Sequence, residues 1–305
     1  MTKNKVFIFG GGFIGKELLA GINSYLKRGG ISTFEPVIIE SRIHSMKDAE
    51  TVLREAAIKY GEPFAIINAM GKKGSPNVDW CEDNKEEVYF ANVILPTFLA
   101  ETAWKNKLAF IHVSTGCIFD GPGPFLPTSV PNFEDSYYSY TKAQVERELI
   151  KLQEKFPNVI LEMHRIRMPF TGREESSNLI TKLIKYGTVV NALNSLTYIP
   201  DYTQMTAERL NSIYKVFLDC PQVGVGYTKI INATNPGAIM HKDIINMIEE
   251  ISGIKLTKTY ITSGELNKLC RAPRTNCVLI ASVEGIQRPV ELALHDAITQ
   301  YFQKV

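Results

Sequence analysis

Tyr138 and Lys142 bracket the segment Tyr138-Ser139-Tyr140-Thr141-Lys142, and on a helix that spacing sets a phenol and an ammonium one turn apart on the same face. A phenol left to itself titrates near ~10, and a neighbouring cation favours its phenolate form. The pair therefore suits proton exchange with a reacting carbonyl. Shortly upstream, the apolar run Leu108-Ala109-Phe110-Ile111-His112-Val113 ends in Ser114-Thr115, where a hydroxyl could hold the same carbonyl oxygen. A second chemical signature, Gly10-x-Gly12-x-x-Gly15, offers a tight turn and close backbone approach to a pyrophosphate. Helix N-terminal amides add an anion site. Glu40-Ser41-Arg42 ends another apolar run. An acidic residue there suits the ribose diol of NAD, and an Arg the 2′-phosphate of NADP. The expectation is NADP(H), with Arg42 on the phosphate and NAD(H) as the alternative.

The elements that must position these groups show themselves as apolar runs. Val6-Phe7-Ile8-Phe9 enters the glycine turn, and Ile14, Leu18, Leu19, Ile22 and Leu26 follow at helical spacing. The pattern recurs with Val37-Ile38-Ile39 before Ala49, Val52, Leu53 and Ala56, then with Ala65-Ile66-Ile67 and Leu108–Val113. Continuous apolar strands alternating with helices predict an α/β fold, a doubly wound parallel sheet of Rossmann type. Such sheets bind ligands at the carboxyl ends of their strands. A helix from about Thr141 carries Val145, Leu149, Leu152 and Phe156 and stops near Pro157-Asn158, before the strand Val159-Ile160-Leu161. The predicted division is a cofactor-binding domain over 1–168 and a smaller, mostly helical substrate lobe over 169–305. Helices are predicted at 178–186, 203–218, 241–252 and 289–303, with a return to the first sheet near 229–233. His112 and His164 read as satisfied core histidines, Trp80 and Cys81 as packing residues, and Lys72-Lys73 as a solvated pair.

With 305 residues, 45% hydrophobic and 22% charged, the chain has an ordinary globular composition, which excludes disorder and collagen-like repeats. Lys plus Arg number 34 against 32 acidic residues, a net charge of +2, so nothing draws the chain to nucleic acid or to an anionic membrane. No apolar stretch nears the ~20 residues of a membrane span, and no signal-peptide pattern precedes the first strand. A cytoplasmic protein acting on small molecules is expected. The five cysteines (Cys81, Cys117, Cys220, Cys270 and Cys277) form no CxxC pair, and the five histidines no HExxH. Neither a disulfide framework nor a protein-built metal site is expected.

The glycine turn, Thr115 and the Tyr138/Lys142 pair together resemble the extended branch of the short-chain dehydrogenase/reductase superfamily. Gly74-Ser-Pro-Asn-Val-Asp-Trp-Cys-Glu82, Ser114-Thr-Gly-Cys-Ile-Phe119, Tyr138-x-x-x-Lys142, Arg165-Ile-Arg-Met-Pro169 and Asn178-Leu-Ile-Thr-Lys182 narrow the resemblance. They follow in the order and spacing of UDP-4-keto-6-deoxyglucose 3,5-epimerase/4-reductases, the C-terminal half of plant-type UDP-rhamnose synthases. Val189-Val-Asn191 and Asn194-Ser195 extend the match, which is dense from about residue 64 to 200 and thin afterwards. The glycine turn is one residue shorter than the GxxGxxG usual in that branch.

The resemblance implies an NADPH-dependent enzyme, both isomerase and oxidoreductase, that converts UDP-4-keto-6-deoxy-D-glucose to UDP-L-rhamnose. In the first stage, protons at sugar carbons 3 and 5 are removed and returned on the opposite face. Cys117 is implied as the base, Lys182 as the acid, and Thr115 with Tyr138 as holders of the enolate oxygen. Hydride transfer to carbon 4 follows, with Tyr138 giving the proton and Lys142 tuning it. Also implied are Gly10, Gly12, Phe13, Ile14, Gly15, Arg42, Ala69, Tyr138 and Lys142 around the cofactor, and Thr115 and Asn178 on the substrate. Asn178 equally suits a helix cap. The implied partner is a nucleotide sugar supplied by a separate 4,6-dehydratase, and a homodimer is compatible with this reading. The alternatives are a dTDP-4-dehydrorhamnose reductase without epimerase activity, and a non-catalytic NADP-binding subunit resembling the regulatory subunit of methionine adenosyltransferase.

Overall fold

The computed structural model describes residues 4–29, 34–219 and 226–303, so Cys220 lies outside the described residues. One sheet contains β1 (Lys5–Phe9), β2 (Glu35–Ile39), β3 (Pro63–Asn68), β4 (Ala109–Thr115), β5 (Ile160–Ile166) and β6 (Tyr227–Asn232), in the order β6-β5-β4-β3-β1-β2. The pairs β1–β2, β1–β3 and β3–β4 are parallel, with Phe7 opposite both Val37 and Ile66, and Ile67 opposite Ile111. The expected α/β doubly wound sheet is what forms, and β6 is the return predicted near 229–233. Because β2 and β3 flank β1 on opposite sides, the winding reverses between β1 and β3. That is the switch point at which open α/β sheets bind ligands.

The helices include α1 (Phe13–Lys27), α2 (Met46–Tyr60), α3 (Leu95–Lys105), α4 (Tyr137–Gln153), α5 (Leu179–Lys185), α6 (Ile199–Asp219), α7 (His241–Ser252) and α8 (Val290–Phe302), with further short ones at Trp80–Asp83, Lys85–Tyr89 and Ser263–Leu269. Period-two alternation in the strands decides which helices cover which face. Phe7, Phe9, Ile66, Phe110 and Met163 share a core with Leu53 of α2, Leu99 of α3 and Leu149 of α4. Ile8 turns the other way, toward Gly15 of α1. On that face Phe34 and Phe64 meet Tyr214 of α6 at centroid distances of 5.9 and 4.8 Å.

The described residues divide into two compact units, one within 1–114, 141–164 and 203–230, the other within 115–140, 165–202 and 231–305. This redraws the division predicted at residue 168. Most of α6 joins the first unit, where Thr203 lies against Gly21 of α1 and Tyr214 joins the aromatic cluster. α6 also starts earlier than predicted, at Ile199, with Pro200 in its first turn, a position proline favours. The second unit has its own core, including Phe170, Ile180, Leu196, Ile244, Ile248 and Leu294.

His164 is the core histidine expected of it: its Nε2 lies 3.1 Å from Glu162 Oε2, both side chains being fully buried. Arg209 and the Tyr227 hydroxyl also donate to Glu162. Burial by itself would raise the Glu162 carboxyl, but hydrogen bonds from His164 and Arg209 prevail and hold it at about 2. Among the described residues, no helix is long and apolar enough to cross a membrane. Nor does any group of three or more His, Cys, Asp or Glu side chains among them form a candidate metal site.

Candidate active site

At the β1–α1 junction Gly10 has φ +111°, a conformation that glycine alone adopts readily. A Cβ there would fall 2.9 Å from the backbone of Ala69 and Met70, and the Ala69 N–H donates to the Phe9 carbonyl at 2.9 Å. The loops after β1 and β3 thus lie against each other at the switch point. Gly15 faces back onto this turn, where a Cβ would stand 1.8 Å from the Gly10 carbonyl oxygen. Gly12 is the N-cap of α1, makes no side-chain cap, and would meet nothing within 4 Å if it carried a Cβ. The first turn, which includes the half-buried Phe13 and Ile14, therefore presents uncapped amides to open space.

A cleft of about 320 Å³ lies here, lined among others by Gly10, Gly11, Glu40, Ser41, Arg42 and Met70. Arg42 is exposed. The Glu40 carboxylate lies over the loop, 1.8 Å from where a Gly11 Cβ would sit. Bare glycine backbone, free amides, an acid and an exposed guanidinium fit the diphosphate and ribose of a nicotinamide dinucleotide.

Deeper in the same unit, Lys142 is 5% exposed. Its Nζ donates to the Val113 carbonyl at 3.1 Å and lies 3.3 Å from His112 Nε2. Burial first, and the Lys142 charge second, push the His112 imidazole well below its ordinary range, so the ring is neutral. Asn68 Nδ2 lies 3.0 Å from His112 Nδ1, and Asn68 Oδ1 accepts the Met70 N–H at 3.1 Å. Asn68 and His112 thus stand in line between the cleft lining at Met70 and Lys142, and His112 touches the lysine as well as the core. Asn92, 1% exposed in the π turn Phe90–Ile94, binds the Lys72 N–H and carbonyl at 2.6 and 2.9 Å and the Thr141 hydroxyl at 3.1 Å. It ties α4, beside Lys142, to the loop after β3. Lys72 is also less solvated than predicted: it pairs with Glu87 and lies 5.0 Å from the Trp80 ring centroid. Sequence reasoning missed Asn68 and Asn92; a polar residue closing an apolar strand was the available signal for Asn68.

Of the two hydroxyls closing β4, Ser114 is committed to Glu146 Oε1 at 2.5 Å. Thr115 belongs to the second unit and caps the turn Gly116–Ile118, its Oγ1 accepting the Cys117 N–H at 3.1 Å. Ser139 Oγ donates to the Cys117 carbonyl at 2.7 Å. The backbone of Cys117 is thus pinned on both sides, with the residue partly exposed. Ser139 neighbours the half-buried Tyr138, which sits in the first turn of α4, one turn from Lys142. Arg167 Nη1 donates to Cys117 Sγ at 2.9 Å, a contact that no sequence pattern announced.

Lys182 is half-buried on α5, and Asn178 is the N-cap of that helix. The expectation that Asn178 binds substrate is not met. Its Oδ1 accepts from Ile180 and Thr171 N–H, and its Nδ2 donates to the Thr171 and Arg173 carbonyls. With no exposed surface, it has filled its hydrogen-bonding capacity inside the protein.

The family model of the RmlD substrate binding domain matches residues 4–224. The Arabidopsis thaliana bifunctional dTDP-4-dehydrorhamnose 3,5-epimerase/dTDP-4-dehydrorhamnose reductase is 31% identical over 265 residues, covering 84% of this chain and 81% of its own length. A trifunctional UDP-glucose 4,6-dehydratase/UDP-4-keto-6-deoxy-D-glucose 3,5-epimerase/UDP-4-keto-L-rhamnose-reductase of the same plant is 32% identical over 265 residues, or 84% of this chain; the chain spans only 36% of that enzyme. Among solved structures, the L780 UDP-rhamnose synthase of Acanthamoeba polyphaga mimivirus aligns at TM-score 0.74 and 24% identity, over 98% of this chain and 100% of that one. A Bacillus anthracis dTDP-4-dehydrorhamnose reductase in complex with NADP aligns at TM-score 0.72 and 16% identity, over the whole of both chains. At these identities the structural likenesses speak for the fold.

Proposed function

This chain belongs to the RmlD substrate-binding domain family, and on that premise we propose that it inverts carbons 3 and 5 of UDP-4-keto-6-deoxy-D-glucose and reduces carbon 4 to give UDP-L-rhamnose. The observation that carries the reductase half is the buried, hydrogen-bonded Lys142 one helical turn from Tyr138. Family membership and the cradle at Gly10, Gly12 and Gly15 support NADPH as cofactor, and the exposed Arg42 at the cleft is assigned to its 2′-phosphate. When bound, the nicotinamide supplies a hydride to the carbonyl carbon.

The protein's own residues handle the proton. Tyr138 donates its hydroxyl proton to the carbonyl oxygen as negative charge develops there, and the Lys142 cation stabilises the phenolate left behind. The Thr115 hydroxyl, whose oxygen already accepts the Cys117 N–H, directs its own proton to the same carbonyl oxygen. In the inversion stage Cys117 removes the proton from carbon 3 or 5, the electron pair moves onto the carbonyl oxygen, and Lys182 returns a proton to the other face. Support for that stage comes from the partly exposed Cys117 two residues past Thr115, and from the 31% identical plant relative whose name carries both activities.

Product analysis with UDP- and dTDP-linked 4-keto-6-deoxyglucose in D2O, under NADPH and NADH, tests the proposal. Oxidation of the cofactor, deuterium at carbons 3 and 5, and an L-configured product are expected. Reduction without deuterium at those carbons would leave a reductase alone, and a faster reaction with the dTDP sugar would overturn the choice of nucleotide.

A further inference from the structure

We propose that Arg167 is the positioning residue of the inversion half-reaction, its guanidinium donating to Cys117 Sγ and fixing the direction of the sulfur. The inference rests on Cys117 being the base.

Arg167 is 2% exposed, at the end of the chain stretch that leaves β5. Its main chain is locked to Thr197, whose Oγ1 accepts the Arg167 N–H at 2.9 Å and whose N–H donates to the Arg167 carbonyl at 2.8 Å. Three residues hold the guanidinium fork. Nη1 donates to Cys117 Sγ at 2.9 Å and Thr275 Oγ1 at 2.8 Å; Nη2 donates to Asn194 Oδ1 at 2.7 Å and the Thr275 carbonyl at 2.5 Å. Nε is buried without a partner. Arginine keeps its charge in proteins, and a buried charge lacking a counter-charge is strongly unfavourable. Among the described residues no carboxylate contacts this guanidinium; Asp120, just past Cys117, acts on it only at longer range. The Thr275 hydroxyl, the Asn194 amide oxygen and the Thr275 carbonyl hold the fork in place, and Cys117 Sγ is the contact that belongs to the proposed base.

The other thiol nearby does not compete. Cys277 Sγ points at the Gly116 carbonyl at 3.4 Å, and burial pushes that thiol up to about 11, so it stays protonated. Among the described residues, the charged or titratable groups acting on this guanidinium are Cys117 and Asp120 from the turn after β4, Cys277 from the segment opposite, and the buried His241 of α7.

A guanidinium N–H donated to sulfur fixes where the sulfur lone pairs point, and the fork is itself held by Thr275 and Asn194. In the reaction the C–H bond breaks, the proton passes to the sulfur, and the electron pair becomes the enolate. The Lys182 ammonium then gives its proton to the opposite face, and exchange with water restores both groups. Arg167 touches neither substrate nor cofactor in this scheme. Arg167 belongs to the Arg165–Pro169 segment and Asn194 to the Asn194-Ser195 pair, both carried by the family resemblance, so two distant motifs serve one sulfur.

The test follows Cys117 alkylation by iodoacetamide from about pH 5.5 to 9, read by peptide mass spectrometry. It uses the full chain and its Arg167→Gln, Arg167→Lys and Thr275→Val variants. Alkylation is expected to fall at least ~tenfold in Arg167→Gln. Arg167→Lys should restore most of it, and Thr275→Val should show a smaller loss in the same direction. In D2O the ratio of deuterium incorporated at carbons 3 and 5 to cofactor oxidised should fall in the same order. Should Arg167→Gln not fold, the lysine and Thr275 variants carry the comparison. Alkylation curves matching wild type in these variants, with exchange abolished in Cys117→Ser, would overturn the role of Arg167 and leave the base assignment standing. Full exchange in Cys117→Ser would overturn the base assignment itself.

Discussion

Replacing His112 with phenylalanine keeps a flat ring at a position with no exposure and removes the nitrogen that faces Lys142. The ammonium keeps the Val113 carbonyl at 3.1 Å and loses the ring nitrogen at 3.3 Å. A hydrogen bond to a charged group contributes about 1.5–3 kcal/mol. In the proposed mechanism Lys142 acts as the phenolate develops, so that loss should fall on kcat, by about 10- to 150-fold at about 1.4 kcal/mol per factor of ten. Stability should also drop, by about 1–3 kcal/mol, since the buried Asn68 amide loses the polar ring nitrogen beside it. His112→Gln, which offers an amide in place of the ring, should recover part of kcat. Steady-state NADPH oxidation with the keto sugar across pH, alongside denaturant melts, separates the two effects. A His112→Phe enzyme that melts early yet turns over within about twofold of wild type would refute the anchoring role and return His112 to a packing residue.

Glu162 sits at about 2 against an ordinary 4.5. A depressed folded value means that its stabilisation is in place above pH 4.5 and is lost as pH falls through about 2. At about 1.4 kcal/mol per pH unit the gap amounts to about 3 kcal/mol, so Glu162→Gln should lower stability at neutral pH and flatten the acid limb of urea-melt stability. An unchanged acid limb would contradict this. Arg42→Ala should weaken NADPH about tenfold or more and spare NADH, whereas Glu40→Gln should weaken NADH more, as titration of nicotinamide fluorescence will read; equal losses for both cofactors would count against this assignment. Asn178→Ala should cost about 2 kcal/mol through the lost cap and the stranded loop carbonyls. Normal melting with a raised KM for the nucleotide sugar would instead place Asn178 on the substrate.

The sequence by itself determined whatever is set within a few residues of the chain. The Gly10-x-Gly12-x-x-Gly15 turn, the Tyr138/Lys142 spacing and the strand alternation are local, because turn geometry, the helical repeat and the pleat fix which neighbours share a face. They were enough for the fold. Asn178 shows the limit even of local reading: cap and ligand were both open, and four partners inside the unit decided for the cap.

Only the tertiary structure decided the contacts that join remote segments. Periodicity marked His112 as buried, but packing alone put it against Lys142, 30 residues later. Likewise it joined Arg167 to Cys117, 50 residues before it, and to Thr275, 108 residues after it. It also moved most of α6 across the division predicted at residue 168, since burial patterns say that a face is covered without saying by what. The reason is physical: hydrophobic burial is non-directional and legible from composition along the chain. The partner of a buried polar group is instead set by where strands and loops converge in space.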